Sequence, residues 1–173
     1  MIRAEEPEDH SAVGEVHALA FSHEPAVPRL VDALRVLPGC VSLVATEDGV
    51  VAGHVMLTRC RLDAPPRLVD VYSLSPLGVH PAHQRRGIGT ALVAQALREA
   101  DAAGVPLVFL EGSPKYYGAR GFENATAAGF RRPSLRIPEH AFQVAKLSAY
   151  EPWMTGSFVY AETFWALDCV GLR

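Results

Sequence analysis

Apolar and polar positions change period several times along the chain, and each change marks an element. Ile2 to Glu5 reads as a short extended start, and Pro7 suits a first helical turn. Ala12, Val13, Val16, Leu19 and Ala20 then recur at helical spacing. Leu30, Val31, Leu34 and Leu37 predict a second helix, closed by Pro38-Gly39. Val41 to Thr46 reads as a strand, and Asp48-Gly49 as a tight hairpin turn, because both residue types tolerate positive φ. Val50 to Leu62 returns as a long strand, with Val51, Gly53, Val55 and Leu57 on one face and Ala52, His54, Met56 and Thr58 on the other. After the Ala64-Pro65-Pro66 loop, Leu68 to Val79 is a third extended segment. Pro76 lies inside it and cannot donate to a ladder, so a bulge or a loss of pairing is expected near Ser75-Pro76.

Ile88, Leu92, Val93, Ala96, Leu97 and Ala100 form the next helical stripe, which Gly104 and Pro106 end. Leu107 to Leu110 is a continuous apolar run, the pattern of a strand covered on both faces. Ser113 to Arg120 reads as a short helix stopped by Gly121-Phe122. Ala125 to Ala128 and Pro133 look irregular, and Ala141 to Leu147 and Ser157 to Ala161 are closing strands. The order β-α-α-β-β-β-α-β-α-β-β places one β-α-β unit, residues 68–112, among hairpin strands. It predicts a mixed α/β (α+β) fold over residues 1–173 as one domain, a mixed sheet with helices covering it.

Composition narrows the class. The chain has 173 residues, 49% hydrophobic and 20% charged, enough for one sizeable core and too apolar for disorder. Its net charge of −3 disfavours a partner held through many phosphates, so no nucleic acid is expected. Neither a signal-peptide pattern at Met1 to Pro7 nor an apolar run of about 18 residues is present, so a cytoplasmic protein away from membranes is expected. Cys40, Cys60 and Cys169 are odd in number and far apart, which reads as reduced thiols. His80-x-x-His83 lacks a Cys or carboxylate at ligand spacing, so it reads as a solvated pair and no metal site is expected.

One stretch carries chemistry: Leu77-Gly78-Val79-His80-Pro81-Ala82-His83-Gln84-Arg85-Arg86-Gly87-Ile88-Gly89-Thr90. A helix start presents unpaired N–H groups and a positive dipole end. Gly87 and Gly89 let a ligand approach the backbone, and Arg85 and Arg86 add cationic donors. Together they suit a phosphate or pyrophosphate. A P-loop is excluded because G-x-x-x-x-G-K-[ST] does not occur. A nicotinamide-dinucleotide fingerprint competes through Gly87, Gly89 and Glu111. It fails at Leu92, where a small residue is needed, and in the long basic loop before the glycines.

At this point the stretch resembles the GNAT superfamily of acyl-CoA-dependent N-acyltransferases. Gln84-Arg85-Arg86-Gly87-Ile88-Gly89 meets its Q/R-x-x-G-x-G/A signature, and Leu77-Gly78-Val79-His80-Pro81 meets the apolar triplet and x-P before it. Tyr116-Tyr117-Gly118-Ala119-Arg120-Gly121-Phe122 meets a second, aromatic-Tyr-x-x-x-Gly-Phe block. The likeness spans roughly residues 1–130, and the tail resembles a bacterial branch of largely unassigned substrates. It implies six to seven strands with about four helices, and fourth and fifth strands that splay to admit pantetheine.

The resemblance implies acetyl-CoA as co-substrate, with Leu77, Gly78 and Val79 along the pantetheine, a backbone N–H near Val79 polarising the thioester carbonyl, and Gln84, Arg85, Arg86, Gly87, Ile88, Gly89 and Thr90 around the pyrophosphate. It implies direct attack by an amine. A Lys-like amine with a pKa near ~10.4 must lose a proton, and a leaving thiolate with a pKa near ~8.5 must gain one. Tyr117 matches the family's general acid and would touch the cofactor, with Tyr116 the alternative one residue earlier. The base is open. Relatives often carry Glu on the fourth strand, where this chain has none, and Asp70, His80, Glu24 and Glu111 are the candidates. Glu24 to Leu37 would line the acceptor cleft. The acceptor, a small-molecule or peptidyl amine, is not named by the residues, nor is a choice between monomer and homodimer. A non-catalytic acyl-CoA-binding or sensing module is the alternative from another class. Trp153, Met154 and Phe158 are expected to seal a core or form an apolar patch.

Overall fold

The computed structural model describes residues 1–171. Its strands are β1 (Ile2–Ala4), β2 (Val41–Glu47), β3 (Val50–Asp63), β4 (Leu68–Val79), β5 (Leu107–Glu111), β6 (Glu123–Asn124), β7 (Phe130–Arg131), β8 (Phe142–Lys146) and β9 (Gly156–Val159). Its helices are α1 (His10–Ala20), α2 (Ala26–Arg35), α3 (Ile88–Ala102), α4 (Pro114–Gly118) and α5 (Glu162–Ala166). Hydrogen bonding runs in the order β1-β2-β3-β4-β5-β8-β6, while β9 pairs β3 and β7. The expected mixed α/β fold is observed. The nine strands and five α-helices among the described residues exceed the six to seven and about four expected. The difference lies in β6 and β7, two residues each, and in α5, five residues, all too short to show a period.

The chain divides into two compact units, Met1–Thr58 with Leu74–Ala96, and Arg59–Ser73 with Leu97–Arg173. In the first, Asp48 and Gly49 adopt φ of 49° and 79°, as the hairpin turn requires, and β2 pairs antiparallel with β3 from Val41↔Leu57 to Glu47↔Val50. Val51 to Thr58 are buried on both faces, so the alternation along β3 separates two covered faces and not core from solvent. Gly53 is the close-approach point. A Cβ there would lie 2.9 Å from Ile88 Cγ2 and 3.0 Å from Leu92 Cδ1. The large residue at Leu92 is therefore accommodated by a glycine on the strand opposite it.

Helix α1 departs from the apolar reading. Its buried positions are Val13, Val16 and His17, while Leu19 is 44% exposed. His17 thus takes an inward position that a search for apolar residues passes over. Helix α2 buries Val27, Leu30, Val31 and Leu34, as its period predicts. Ahead of α1, Arg3 clamps the buried Asp9 carboxylate through contacts of 2.6 and 2.9 Å, and Glu6 N–H donates to it at 2.8 Å.

In the second unit, β5 pairs parallel with β4 at Tyr72↔Val108 and Ser73↔Phe109, and antiparallel with β8 along its whole length. The parallel register ends two residues before Ser75–Pro76, a cis peptide, where the sequence predicts lost pairing. The core centres on Phe109, whose ring packs on Phe130, Phe142 and Phe158 at centroid separations of 5.1, 5.7 and 4.5 Å. Met154 and Phe158 are buried, so these two members of the C-terminal apolar group seal a core. Trp153 instead donates its indole N–H to Glu151 and lies under Arg67. Cys40, Cys60 and Cys169 are free thiols. No helix among the described residues is long and apolar enough to cross a membrane.

Two outcomes follow from this packing. Gly53→Val should lower unfolding free energy by about 1–3 kcal/mol through overpacking against Ile88 and Leu92, read by urea denaturation. The Arg3 guanidinium holds Asp9 down at about 2, against an ordinary 3.8. Its stabilisation is therefore present above the unfolded-state pKa and lost as pH falls toward about 2. Stability measured between pH 4 and pH 2 should fall less steeply for Asp9→Asn than for the wild type.

Candidate active site

The motif residues fall into both units. Leu77 to Thr90 belong to the first, and Tyr117 to the second.

In the first unit β4 ends at Val79. His80 N–H donates to the Ala52 carbonyl of β3 at 2.8 Å. Strand alternation then aims the Val79 N–H away from β3. Pro81 to His83 form a 3-10 turn, capped by His80 Nδ1, which accepts from Ala82 N–H at 3.1 Å. Gln84 Nε2 donates to the Val79 carbonyl at 3.1 Å, tying the loop to the strand end. The basic residues are partly neutralised. Glu47 lies 2.8 Å from His83 Nδ1 and 2.9 Å from Arg86. His83 is therefore tied to a strand carboxylate through Nδ1, with its ring edge-on to His80 at 5.6 Å.

Arg85 and Gly87 adopt positive φ of 62° and 83°, which turns the loop into α3. A left-handed conformation at Gly87 favours a residue without Cβ, and open space surrounds the position a Cβ would take. The Gly87 carbonyl accepts from Ala91 N–H at 3.0 Å, so the helix ladder begins there. The N–H groups of Ile88, Gly89 and Thr90 occupy the first turn, where the helix itself offers no acceptor. Ile88 and Leu92 anchor that turn against Gly53, so the positive end of the α3 dipole is set by packing.

In the second unit, Ser113 Oγ caps α4 by accepting from Tyr116 N–H, and Pro114 starts the helix. Gly121, at φ 93°, turns the chain after it. Tyr117 lies over Gly112, where a Cβ would come within 2.6 Å of its ring, and edge-on to Phe122 at 5.7 Å. Gly112 is held by its N–H to the Ala141 carbonyl at 2.9 Å and by Gln143 Nε2 on its own carbonyl at 3.0 Å. Burial, and then the neighbouring Tyr116 phenol, push the Tyr117 hydroxyl above the ordinary phenol range. It keeps its proton at neutral pH and makes no hydrogen bond among the described residues, so the proton is available for donation. Tyr116 is differently placed. Its ring lies 3.7 Å under the Arg120 guanidinium, which also bonds its carbonyl.

The base candidates named by sequence are mostly engaged. Asp70 pairs with Arg59 at 3.3 Å and with Arg61. Glu111 accepts from Gly171 N–H at 3.0 Å and from the Tyr160 hydroxyl at 3.2 Å, so the carboxylate on which the dinucleotide alternative relied serves the second unit's interior. His80 is the cap already described. A set that the sequence did not reveal lies buried in the first unit. His17 Nε2 and His54 Nδ1 are 2.7 Å apart, His54 Nε2 and Ser42 Oγ are 2.7 Å apart, and Ser42 donates to Glu5 at 2.5 Å. Thirty-seven residues separate the two histidines, and no local spacing signals their contact.

Comparison with known proteins agrees with this geometry. An acetyltransferase (GNAT) domain model matches residues 1–125. A Salmonella typhimurium L-methionine sulfoximine/L-methionine sulfone acetyltransferase is 30% identical over 140 residues, 75% of this chain and 74% of that protein. The solved Escherichia coli GNAT family N-acetyltransferase YhbS, in complex with CoA, is 29% identical with a TM-score of 0.84, over 95% of this chain and 91% of that one. A Brucella melitensis GNAT acetyltransferase in complex with acetyl-CoA is 29% identical with a TM-score of 0.75, over 95% and 97%. With the glycine-turned helix start and the aromatic-Tyr block both in place on this fold, the chain belongs to the GNAT acetyltransferase family.

Proposed function

We propose that the whole chain, residues 1–173, is one N-acetyltransferase domain. It transfers the acetyl group of acetyl-CoA by direct attack to a primary amine of a small-molecule or peptidyl acceptor, acting in the cytoplasm as a monomer or homodimer. The observation that carries this reading is the turn at Gly87, which presents the first-turn N–H groups of α3 directly after a strand end whose Val79 N–H points away from β3.

Acetyl-CoA supplies an activated acetyl group as a thioester. Leu77, Gly78 and Val79 offer backbone groups to its pantetheine amides, and the Val79 N–H polarises the thioester carbonyl as charge develops on its oxygen. Arg85, Arg86, Gly87, Ile88, Gly89 and Thr90 hold the pyrophosphate by backbone N–H groups, helix dipole and cationic side chains. Gln84 stabilises that loop through its bond to Val79. Tyr117 packs along the bound chain and gives its phenolic proton to the departing thiolate. The methionine-derivative substrates in the Salmonella relative's name make α-amines of amino-acid-like molecules the first acceptors to try.

A second reading, a non-catalytic acyl-CoA sensor, is favoured by the lack of a carboxylate within Val71 to Val79 and by the pairing of Asp70 with Arg59. Acetyl-CoA should raise the melting temperature, and an equal concentration of NAD should leave it unchanged. Stabilisation by NAD alone would overturn the proposal. Thiol release from acetyl-CoA should rise with at least one amine of a panel that includes methionine sulfone, methionine sulfoximine and peptide N-termini. Tyr117→Phe should keep the acetyl-CoA thermal shift and lose turnover by about a hundredfold or more. Binding without turnover on any amine would favour the sensor, and unchanged turnover in Tyr117→Phe would remove that residue as the acid.

A further inference from the structure

The proton that the amine must lose has no acceptor in the residues placed so far, and the buried set in the first unit supplies one. Glu5 accepts from Arg35 Nη2 at 2.8 Å and from Arg35 Nε at 3.1 Å. Ser42 gives its one hydroxyl proton to Glu5. Its oxygen can then only accept from His54, so His54 carries its proton on Nε2 and presents a lone pair on Nδ1. His17 must in turn donate from Nε2, which leaves the lone pair of its Nδ1 unprotonated. Each link fixes the next, and the chain ends at one atom.

That atom is His17 Nδ1. Both imidazoles are 0% exposed, and Nδ1 has no hydrogen-bond partner among the described residues. Leaving a buried acceptor unsatisfied costs about 1–3 kcal/mol, so the arrangement needs a reason. Its position gives one. A Cβ at Gly78 would lie 2.8 Å from Nδ1, so only a glycine there leaves room for that edge of the ring to pack against the strand. Gly78 is the middle residue of the strand end assigned above to the pantetheine and thioester. Sealed from bulk water, the lone pair is best satisfied by a donor that a bound ligand brings alongside Leu77 to Val79.

We propose that His17 is the proton acceptor for the attacking amine, and that His54, Ser42 and Glu5 are positioning residues that fix its tautomer and receive the charge. The inference rests on the acetyltransferase reading. As the nitrogen bonds to the acetyl carbon, its N–H becomes far more acidic than in the free ammonium, and the proton passes to His17 Nδ1. The Nε2 proton of His17 moves to His54 Nδ1, and the resulting His54 imidazolium faces the Glu5 carboxylate at 3.8 Å. The C–S bond breaks and the thiolate takes the Tyr117 proton. Solvent reprotonates Tyr117, and the histidine pair returns its proton to solvent after product leaves.

The groups facing the pair are Glu5, Arg35 from α2 and Asp9 from the turn before α1, with the Phe21 ring stacked on His17 at 5.8 Å. Burial first, aided by the nearness of His54 to His17 and by the Arg35 charge at His54, pushes both imidazoles down to about 3. Both therefore rest neutral across the physiological range and expel a captured proton readily.

Two measurements test the proposal. Long-range 1H–15N correlation spectra of the wild-type protein should show His17 and His54 as neutral Nε2–H tautomers. An Nδ1–H tautomer at His17 would overturn the proposal whatever the activity. With the panel amine that the wild type acetylates best, His17→Gln should lower kcat about a hundred- to thousand-fold, leave KM for acetyl-CoA unchanged, and recover rate in proportion to added imidazole base. Ser42→Ala, which cuts the chain to Glu5 and spares both imidazoles, should lower kcat about tenfold. A folded His17→Gln with wild-type kcat and no imidazole dependence would sink this inference alone. An inactive wild type would count against the proposed function instead, with the tautomers still deciding whether the lone pair faces Gly78.

Discussion

The close seat of α3 on β3 at Gly53 governs what the candidate site can present. A helix start is useful to an anion only if it is held still and aimed, and those conditions come from packing. Ile88 and Leu92 reach the space that a side chain at position 53 would fill, so the first turn of α3 is anchored by its own apolar residues. The same helix turn carries the exposed Thr90 and follows the exposed Arg85, Arg86 and Gly87. One face is locked into the core and the other is exposed. The dipole and the orphan N–H groups are generic to any helix, and their placement here is specific to one glycine.

A second glycine has a parallel role on the neighbouring strand. Gly78 makes room for the edge of the His17 ring, as Gly53 makes room for Ile88. On β3 the space lets a helix approach, and on β4 it lets a buried polar group reach the strand. The polar chain behind His17 is completed at its far end by Arg35, so its protonation pattern is set by a charge several residues away and not by the imidazoles themselves. A buried network of this kind is tolerated where nearly every member is satisfied, and the single exception is the atom next to the strand end.

The second unit solves a different problem, that of holding a phenol protonated and unspent. Gly112 is clamped through its N–H by the Ala141 carbonyl just before β8 and through its carbonyl by Gln143 of β8, and Tyr117 rests on it. Tyr116, its neighbour in sequence, is taken up by Arg120. Two adjacent tyrosines are thus given separate surroundings by what packs on them.

Much of the fold was legible because its signals are local. Asp48-Gly49 specifies its turn by the φ values those residues tolerate, Leu107 to Leu110 declares a covered strand by an unbroken apolar run, and Gly87-Ile88-Gly89 after a basic loop marks a helix start. The family resemblance rests on the same short blocks. What the sequence alone did not decide shares one physical character: it depends on residues far apart in the chain. His17 reads as a polar interruption of an apolar stripe until His54, Ser42, Glu5 and Arg35 are brought around it. Arg86 reads as an unengaged cationic donor until Glu47 is brought beside it. Leu92 reads as too large for close packing until Gly53 is found opposite. Periodicity and spacing report what a residue does to its own neighbours in the chain. Only the tertiary structure decides which distant donor meets which acceptor, and therefore which lone pair is left over for chemistry.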